Sequence, residues 1–322
     1  MKPRLNAILA FFPIWLGVSF TLAQEIERKP LGSIGLGANR QGATIVFLGD
    51  SNTYTGTWVS LLDAWQMNEI PTAQLRLLNL GLSSETASGL SEPTHPFPRP
   101  DVKTRIDSVL EKTKPDVVFI CYGMNDGIYH PQSEERFQAY QTGIREVVTK
   151  VQKTGALVVL ITPPIFDALP VRAKGKLQKP GAERYSWEFV SDEYDQVVAQ
   201  YASWITGQTR LADLVIDIHT PMKKAVMMAR SSDPSFTFAG DGIHYNQDGH
   251  RLVAKTVLEA FGVKTDLSFD AEMMKLVTER QKVLRDAYLT FCGHGRPGVP
   301  KGKSIEEAMR EADALESRIR KR

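Results

Sequence analysis

Five short apolar runs, Thr44 to Leu48, Leu75 to Leu80, Val117 to Cys121, Leu157 to Thr162 and Leu214 to Ile218, are separated along this chain by longer amphipathic stretches. The amphipathic stretches are Thr57 to Asn68, Val102 to Thr113, Glu134 to Lys153, Trp187 to Thr206 and Gln247 to Phe261. Short apolar runs joined through helices can pair side by side only in parallel, because each connection crosses back over a face of the sheet. The pattern therefore predicts an α/β fold with a mostly parallel central sheet and helices on both faces.

The first run ends abruptly, Thr44-Ile-Val-Phe-Leu-Gly-Asp-Ser-Asn-Thr53, in a turn of small, acidic and hydroxyl residues. Such residues tolerate turn geometry, so the turn alone has an ordinary structural reading. Far downstream, Asp241-Gly-Ile-His244 places a carboxylate and an imidazole three residues apart, close enough for the acid to hold the ring. Ser51 as nucleophile, His244 as base and Asp241 as the group that fixes the ring's tautomer satisfy the needs of acyl transfer. Acyl transfer also needs donors for an oxyanion, each commonly worth about 3 kcal/mol. Gly81, after the second run, offers a backbone N–H unobstructed by a side chain, and Asn125, in Gly123-Met-Asn-Asp-Gly127, offers its amide. Ser51, Gly81 and Asn125 each follow a strand end, and one rim of an open α/β sheet collects such positions; Asp241 and His244 precede the last core helix, in a loop able to reach that rim. Asp50, Asn52, Tyr122 and Asp126 are read as shaping the turns around them.

Gly49-Asp-Ser-Asn52, Gly81, Gly123-Met-Asn-Asp126 and Asp241-Gly-Ile-His244 together resemble the successive blocks of the SGNH, or GDSL-like, hydrolases over roughly residues 44 to 262. Four ordered blocks are far more specific than any one of them. The resemblance implies a three-layer α/β/α sandwich of flavodoxin-like type and hydrolysis of esters or acyl groups, with no metal or other cofactor. It also implies Ser51 as nucleophile, His244 as base, Asp241 as its partner, and the Ser51 N–H, Gly81 and Asn125 as oxyanion donors. The first block reads Gly-Asp-Ser-Asn where the family commonly has Gly-Asp-Ser-Leu. No Gly-x-Ser-x-Gly occurs, so the ordinary α/β-hydrolase elbow has no support.

Residues 1–23 combine a basic head, an apolar middle and a small residue before Gln24, the pattern of a secretory signal peptide; an uncleaved anchor is the alternative. Export, to a secreted or periplasmic location, is the expectation, with no stable membrane insertion after cleavage. Residues 24–43 read as a lead-in. Its Gly32-Ser-Ile-Gly-Leu-Gly37 precedes the first strand, where a phosphate loop would follow one. Residues 24–265 read as the hydrolase domain and 266–322 as a C-terminal helical extension, with helices over Ala271 to Phe291 and Ser304 to Lys321 and a capping box at Ser304-Ile-Glu-Glu307. Net charge is only +2, which gives no reason to expect nucleic acid as a partner.

Cys121 and Cys292 are read as buried small hydrophobes in preference to a disulfide. His219, Asp217 and His250 match no specific metal spacing. Two insertions are expected to shape the cleft: residues 82–100, polar and beside Gly81, and residues 163–184, whose Arg172, Lys174, Lys176 and Lys179 suit an anionic glycan or a solvated surface. His294 and Arg296 can either reach the cleft or fix the turn-rich segment after the first tail helix, and fixing the segment is the expectation because Gly/Pro-rich connections usually serve geometry. The substrate expected from export and polar cleft loops is an O-acetylated carbohydrate such as an acetylated polysaccharide. The alternatives are lipase or lysophospholipase-type hydrolysis, or a non-catalytic carbohydrate-binding protein on the same fold.

Overall fold

The computed structural model of the chain describes residues 42–321, so residues 1–23, read above as a signal peptide, and most of the lead-in lie outside the described residues. The strands are β1 (Thr44–Gly49), β2 (Arg76–Asn79), β3 (Val117–Cys121), β4 (Leu157–Ile161), β5 (Leu177–Gln178), β6 (Val190–Ser191) and β7 (Leu214–Ile216). The helices are α1 (Ser51–Thr55), α2 (Thr57–Glu69), α3 (Ile106–Thr113), α4 (Glu134–Lys153), α5 (Ala168–Ala173), α6 (Tyr194–Thr206), α7 (His219–Arg230), α8 (Gln247–Ala260), α9 (Ala271–Cys292) and α10 (Ile305–Arg320). Five strands form one sheet in the order β2-β1-β3-β4-β7, every pair parallel.

Side chains alternate across this sheet. Ile45, Phe47, Phe119 and Ile161 pack with α2, α7 and α8 on one face. Val46, Leu48, Ile120 and Leu160 pack with α3, α4 and α6 on the other. Apolar strand residues are thus buried on both faces, as a doubly covered parallel sheet requires. The strand order reverses direction at β1, which has β2 on one side and β3 on the other, and a crevice opens beyond the carboxyl end of such a strand.

Three stretches differ from the sequence reading. The helix expected from Trp187 begins at Tyr194, because Val190, Ser191 and Asp192 donate their N–H groups to Lys176, Tyr129 and Gln178. The helix expected from Val102 is broken at Arg105: Val102–Thr104 is a 3-10 turn, and the Arg105 guanidinium reaches Glu85 and the Leu80 carbonyl. Helix α7 was not foreseen, because it buries only His219, Met222 and Val226.

The C-terminal helices lie against α2 and the β2 edge. Ala64, Met67, Met273, Leu276, Val277, Leu315 and Ile319 form a third apolar cluster there. Gln281 Nε2 donates to Asp63 Oδ2 at 2.6 Å and to the Leu77 carbonyl of β2 at 3.1 Å. Arg280 bonds Asp63 and Glu316, each at 2.9 Å, which ties α2, α9 and α10 together. The Ser304–Glu307 capping box starts α10, its hydroxyl and carboxylate each accepting a backbone N–H. Both cysteines are free and buried. Among the described residues no helix is long and apolar enough to cross a membrane.

Candidate active site

Gly49 ends β1 against the turn that follows: a Cβ there would lie 2.2 Å from Thr53 Oγ1 and 2.9 Å from the Cys121 carbonyl, so only glycine lets the chain turn this tightly. Asp50 then caps α1, accepting the Asn52 N–H at 3.0 Å, and Ser51 becomes the first residue of that short helix. The hydroxyl of Ser51 meets His244 Nε2 at 2.9 Å, and His244 Nδ1 meets Asp241 Oδ2 at 2.6 Å. The other Asp241 oxygen accepts the N–H groups of Ile243 and His244 at 2.9 and 2.8 Å.

Electrostatics follow from this chain of bonds. Burial alone would raise the Asp241 pKa, but the imidazole and the two N–H donors outweigh it and hold the carboxyl well below the ordinary carboxylate value. The bond to Asp241 in turn raises the His244 pKa above the ordinary imidazole value, against the opposing effect of burial. Burial pushes both Asp50 and Asp126 up to about 6.

Asn52 does more than shape a turn. Its Nδ2 donates to the Ile243 carbonyl at 3.0 Å, and its Oδ1 accepts the Tyr245 N–H at 3.2 Å. The residue after the serine therefore grips the backbone on both sides of His244. Gly242 allows the same loop to approach α5: its φ is +85°, and a Cβ would lie 2.6 Å from the Asp167 carbonyl. Asp167 itself accepts both a guanidinium N–H from Arg230 and the Thr237 hydroxyl, pinning the start of the loop.

A cleft of about 310 Å³ opens on Ser51 and His244. Asn125 lines it; its Oδ1 accepts the Tyr129 hydroxyl at 2.8 Å and its Nδ2 donates to the Glu85 carbonyl at 3.2 Å. The amide orientation is thereby fixed, with one N–H left over. Asp126 accepts the N–H groups of Ala87 and Ser88 at 2.8 and 2.7 Å and so fastens the 82–100 insertion to the Asn125 turn.

The structure does not bring Gly81 into this group. Its N–H donates to Asn79 Oδ1 at 3.0 Å, and its missing side chain makes room for Thr53 and Tyr54, whose backbone a Cβ would meet at 2.5 to 2.7 Å. Ser84, three residues on, lines the cleft instead and has a left-handed φ of +68°. No hydrogen bond from its N–H is formed within the described residues. A serine gives no signal of that backbone conformation, whereas a glycine would have.

The insertion is stiffened by two ion pairs that the sequence reading missed. Arg99 holds Glu92 through two bonds of 2.6 and 2.7 Å, and its Nη1 reaches the Ser84 carbonyl at 3.3 Å. Arg105 holds Glu85 through two bonds of 2.6 Å, and the Tyr122 hydroxyl donates to the same carboxylate at 2.6 Å. Paired in this way, both charges are tolerated with side chains almost completely buried. Trp187 and Arg296 complete the cleft wall, while none of Arg172, Lys174, Lys176 and Lys179 lines it. His219 contacts the Pro164 carbonyl through its ring, and His250 packs edge-on against Tyr245; neither faces the cleft.

The comparisons with known proteins agree with this geometry. The profile of the GDSL-like Lipase/Acylhydrolase family matches residues 47–252. No curated protein matches. Among solved structures, a gut microbial diltiazem-metabolizing enzyme is similar at 22% identity and a TM-score of 0.52, over 69% of this chain and 47% of that one, so the chain spans about half its length. A variant of an acetyl-xylooligosaccharide esterase from Geobacillus is similar at 20% identity and a TM-score of 0.51, over 70% of this chain and 96% of that one. A catalytic mutant of an acetylxylan esterase from Geobacillus stearothermophilus is similar at 19% identity and 0.51, over 72% and 99%. At these identities the structures speak for the fold, and the family profile speaks for the chemistry. Because that profile runs from the strand before Ser51 into the helix after His244, over more than half of the sequence, the chain belongs to the GDSL-like lipase/acylhydrolase family and is a serine-type ester hydrolase.

Proposed function

We propose that the protein removes small acyl groups, acetyl above all, from O-acylated carbohydrate outside the cytoplasm. The observation that carries the reading is the continuous Asp241–His244–Ser51 hydrogen-bond chain opening on a small cleft whose aliphatic lining, among the described residues, is Pro96 and Ile243. A long acyl chain needs an aliphatic channel, since each buried CH₂ is worth about 0.8 kcal/mol. The cleft instead offers serines, aromatic rings and arginines, including Trp187 with 41% of its surface exposed as a face for a sugar ring.

In the proposed mechanism Ser51 Oγ attacks the ester carbonyl carbon while its proton passes to His244 Nε2. Asp241 holds the opposite nitrogen and stabilises the imidazolium. The Asn125 amide and the N–H groups of Ser51 and Ser84 receive the oxyanion. His244 then protonates the departing sugar oxygen as the C–O bond breaks, leaving an acyl-Ser51. Water attacks this ester with His244 again as base, releasing the carboxylic acid and restoring the serine.

Hydrolysis of p-nitrophenyl acetate and octanoate, each against Ser51→Ala, tests the reading. Serine-dependent turnover favouring acetate is the expected result. A preference for octanoate moves the substrate to lipids, and glycan binding without turnover of either ester makes the protein a carbohydrate binder.

A further inference from the structure

Arg296 belongs to the turn-rich segment between α9 and α10, yet it stands in the wall of the cleft that opens on Ser51. Its polar contacts are unusual for a guanidinium. Nε donates to the Ser83 carbonyl at 2.8 Å and Nη1 to the Pro297 carbonyl at 2.7 Å, and the group lies 5.2 Å from the centre of the Phe97 ring. Each of these partners is neutral. Among the described residues no carboxylate pairs with it, whereas Arg99, on the same wall, is neutralised by Glu92. Nη2 makes no hydrogen bond within the described residues, although the other two nitrogens and the ring hold the fork in place.

A fixed, half-buried cation without a counter-charge has a strong preference for an anion that enters its cleft, because the surrounding protein screens it less than water does. Anchoring a loop on backbone carbonyls does not require the charge. We propose that Arg296 binds an anionic substituent, a carboxylate or a sulfate, on the alcohol part of the ester, so that the preferred substrates are acylated acidic saccharides. The inference rests on the small-acyl esterase reading, since an acetyl group has no room for a charge of its own and the anion must then sit on the sugar. The nucleophile Ser51 and the group that selects the sugar thus come from opposite ends of the described chain.

The test uses three monoacetylated methyl glycosides matched in acetyl position: a glucoside, a glucuronoside and a glucoside sulfate. Turnover is measured with wild-type protein, Arg296→Gln and Arg296→Lys, and binding of the same esters is measured by calorimetry on Ser51→Ala with and without Arg296→Gln. The expected result is a kcat/KM for at least one anionic ester about tenfold above that for the glucoside, carried in KM, as suits one partly exposed charge-assisted bond. Arg296→Gln reduces that preference to about twofold or less, and Arg296→Lys retains part of it. The response of the two anionic esters separates uronic from sulfated sugars. Equal rates on all three esters in the wild type overturn the inference, as does a preference that survives Arg296→Gln with melting temperature unchanged. Arg296-dependent binding of an anionic ester without turnover sustains the inference and overturns the esterase reading instead.

Discussion

Asp241→Asn changes a single atom type, yet the backbone around it makes the change severe. Oδ1 of Asp241 accepts two converging N–H groups, from Ile243 and His244, while Oδ2 accepts from the His244 ring. Asparagine must leave its carbonyl oxygen where those two donors converge and turn its NH₂ toward Nδ1 of the imidazole. That NH₂ donates, so the neutral ring carries its proton on Nε2, the atom that has to receive the proton of Ser51. A misassigned tautomer of this kind costs about 10⁴ in kcat, or about 5.5 kcal/mol of barrier, where the pair is well shielded. Here the side chains of His244 and Asp241 are 51% and 49% exposed, which gives water access to the pair. A loss of about 10³ to 10⁴ is expected, the lower figure reflecting that access.

Initial rates on p-nitrophenyl acetate between pH 5 and 9, alongside thermal melting, measure the effect. In the wild type, His244 works only when neutral, and its pKa is raised by Asp241. Activity therefore falls as pH drops through a value above about 6.5. Residual activity in the variant has its acid limb at lower pH, because the raising charge is gone. An Asp241→Asn protein that melts normally and retains a tenth of the wild-type rate would refute the tautomer argument.

Asn125→Ala removes a fixed amide donor and is expected to lower kcat by about 10² to 10³ with little change in KM, measured on the same ester. Asn52→Leu, which restores the commoner family residue, leaves the Ile243 carbonyl and the Tyr245 N–H without partners; a destabilisation of about 2 to 4 kcal/mol in urea and a fall in kcat are expected. Arg105→Met strands the Glu85 carboxylate in the interior and is expected to cost about 3 to 5 kcal/mol by the same measurement, whereas an unchanged midpoint counts against the pairing. Thiol titration of the unreduced, denatured chain is expected to find both Cys121 and Cys292 free.

How far these features were legible in the sequence depends on whether a residue's signal is local. β3 and α4 have the limits read from the sequence, because Ser133 caps α4 and the apolar run of β3 has sharp ends. Ser51, Asp241, His244 and Asn125 stand out because each sits at a strand-end or turn signal; Ser51, His244 and Asn125 line one cleft, with Asp241 bonded behind His244. Gly81 was assigned a close approach correctly, but to the wrong partner: the backbone that comes near is that of α1. The pairs Glu92–Arg99 and Glu85–Arg105 could not be read from spacing, since nothing in an irregular segment says which charges turn inward. The sequence leaves open whether Arg296 reaches the cleft or fixes its loop, because the choice depends on where a 22-residue helix ends in space.

The Gln281 bond to the β2 carbonyl also orders events in time. An uncovered parallel edge is a template for strand addition by another chain, and here its cover comes from residues made about 200 positions after β2. The five sheet strands are complete at Ile216, well before α9 exists. Until α9 has been made, a nascent chain in which these strands have paired leaves its β2 edge uncovered. Edge-to-edge association through β2 is open to such a chain in the interval before α9 docks.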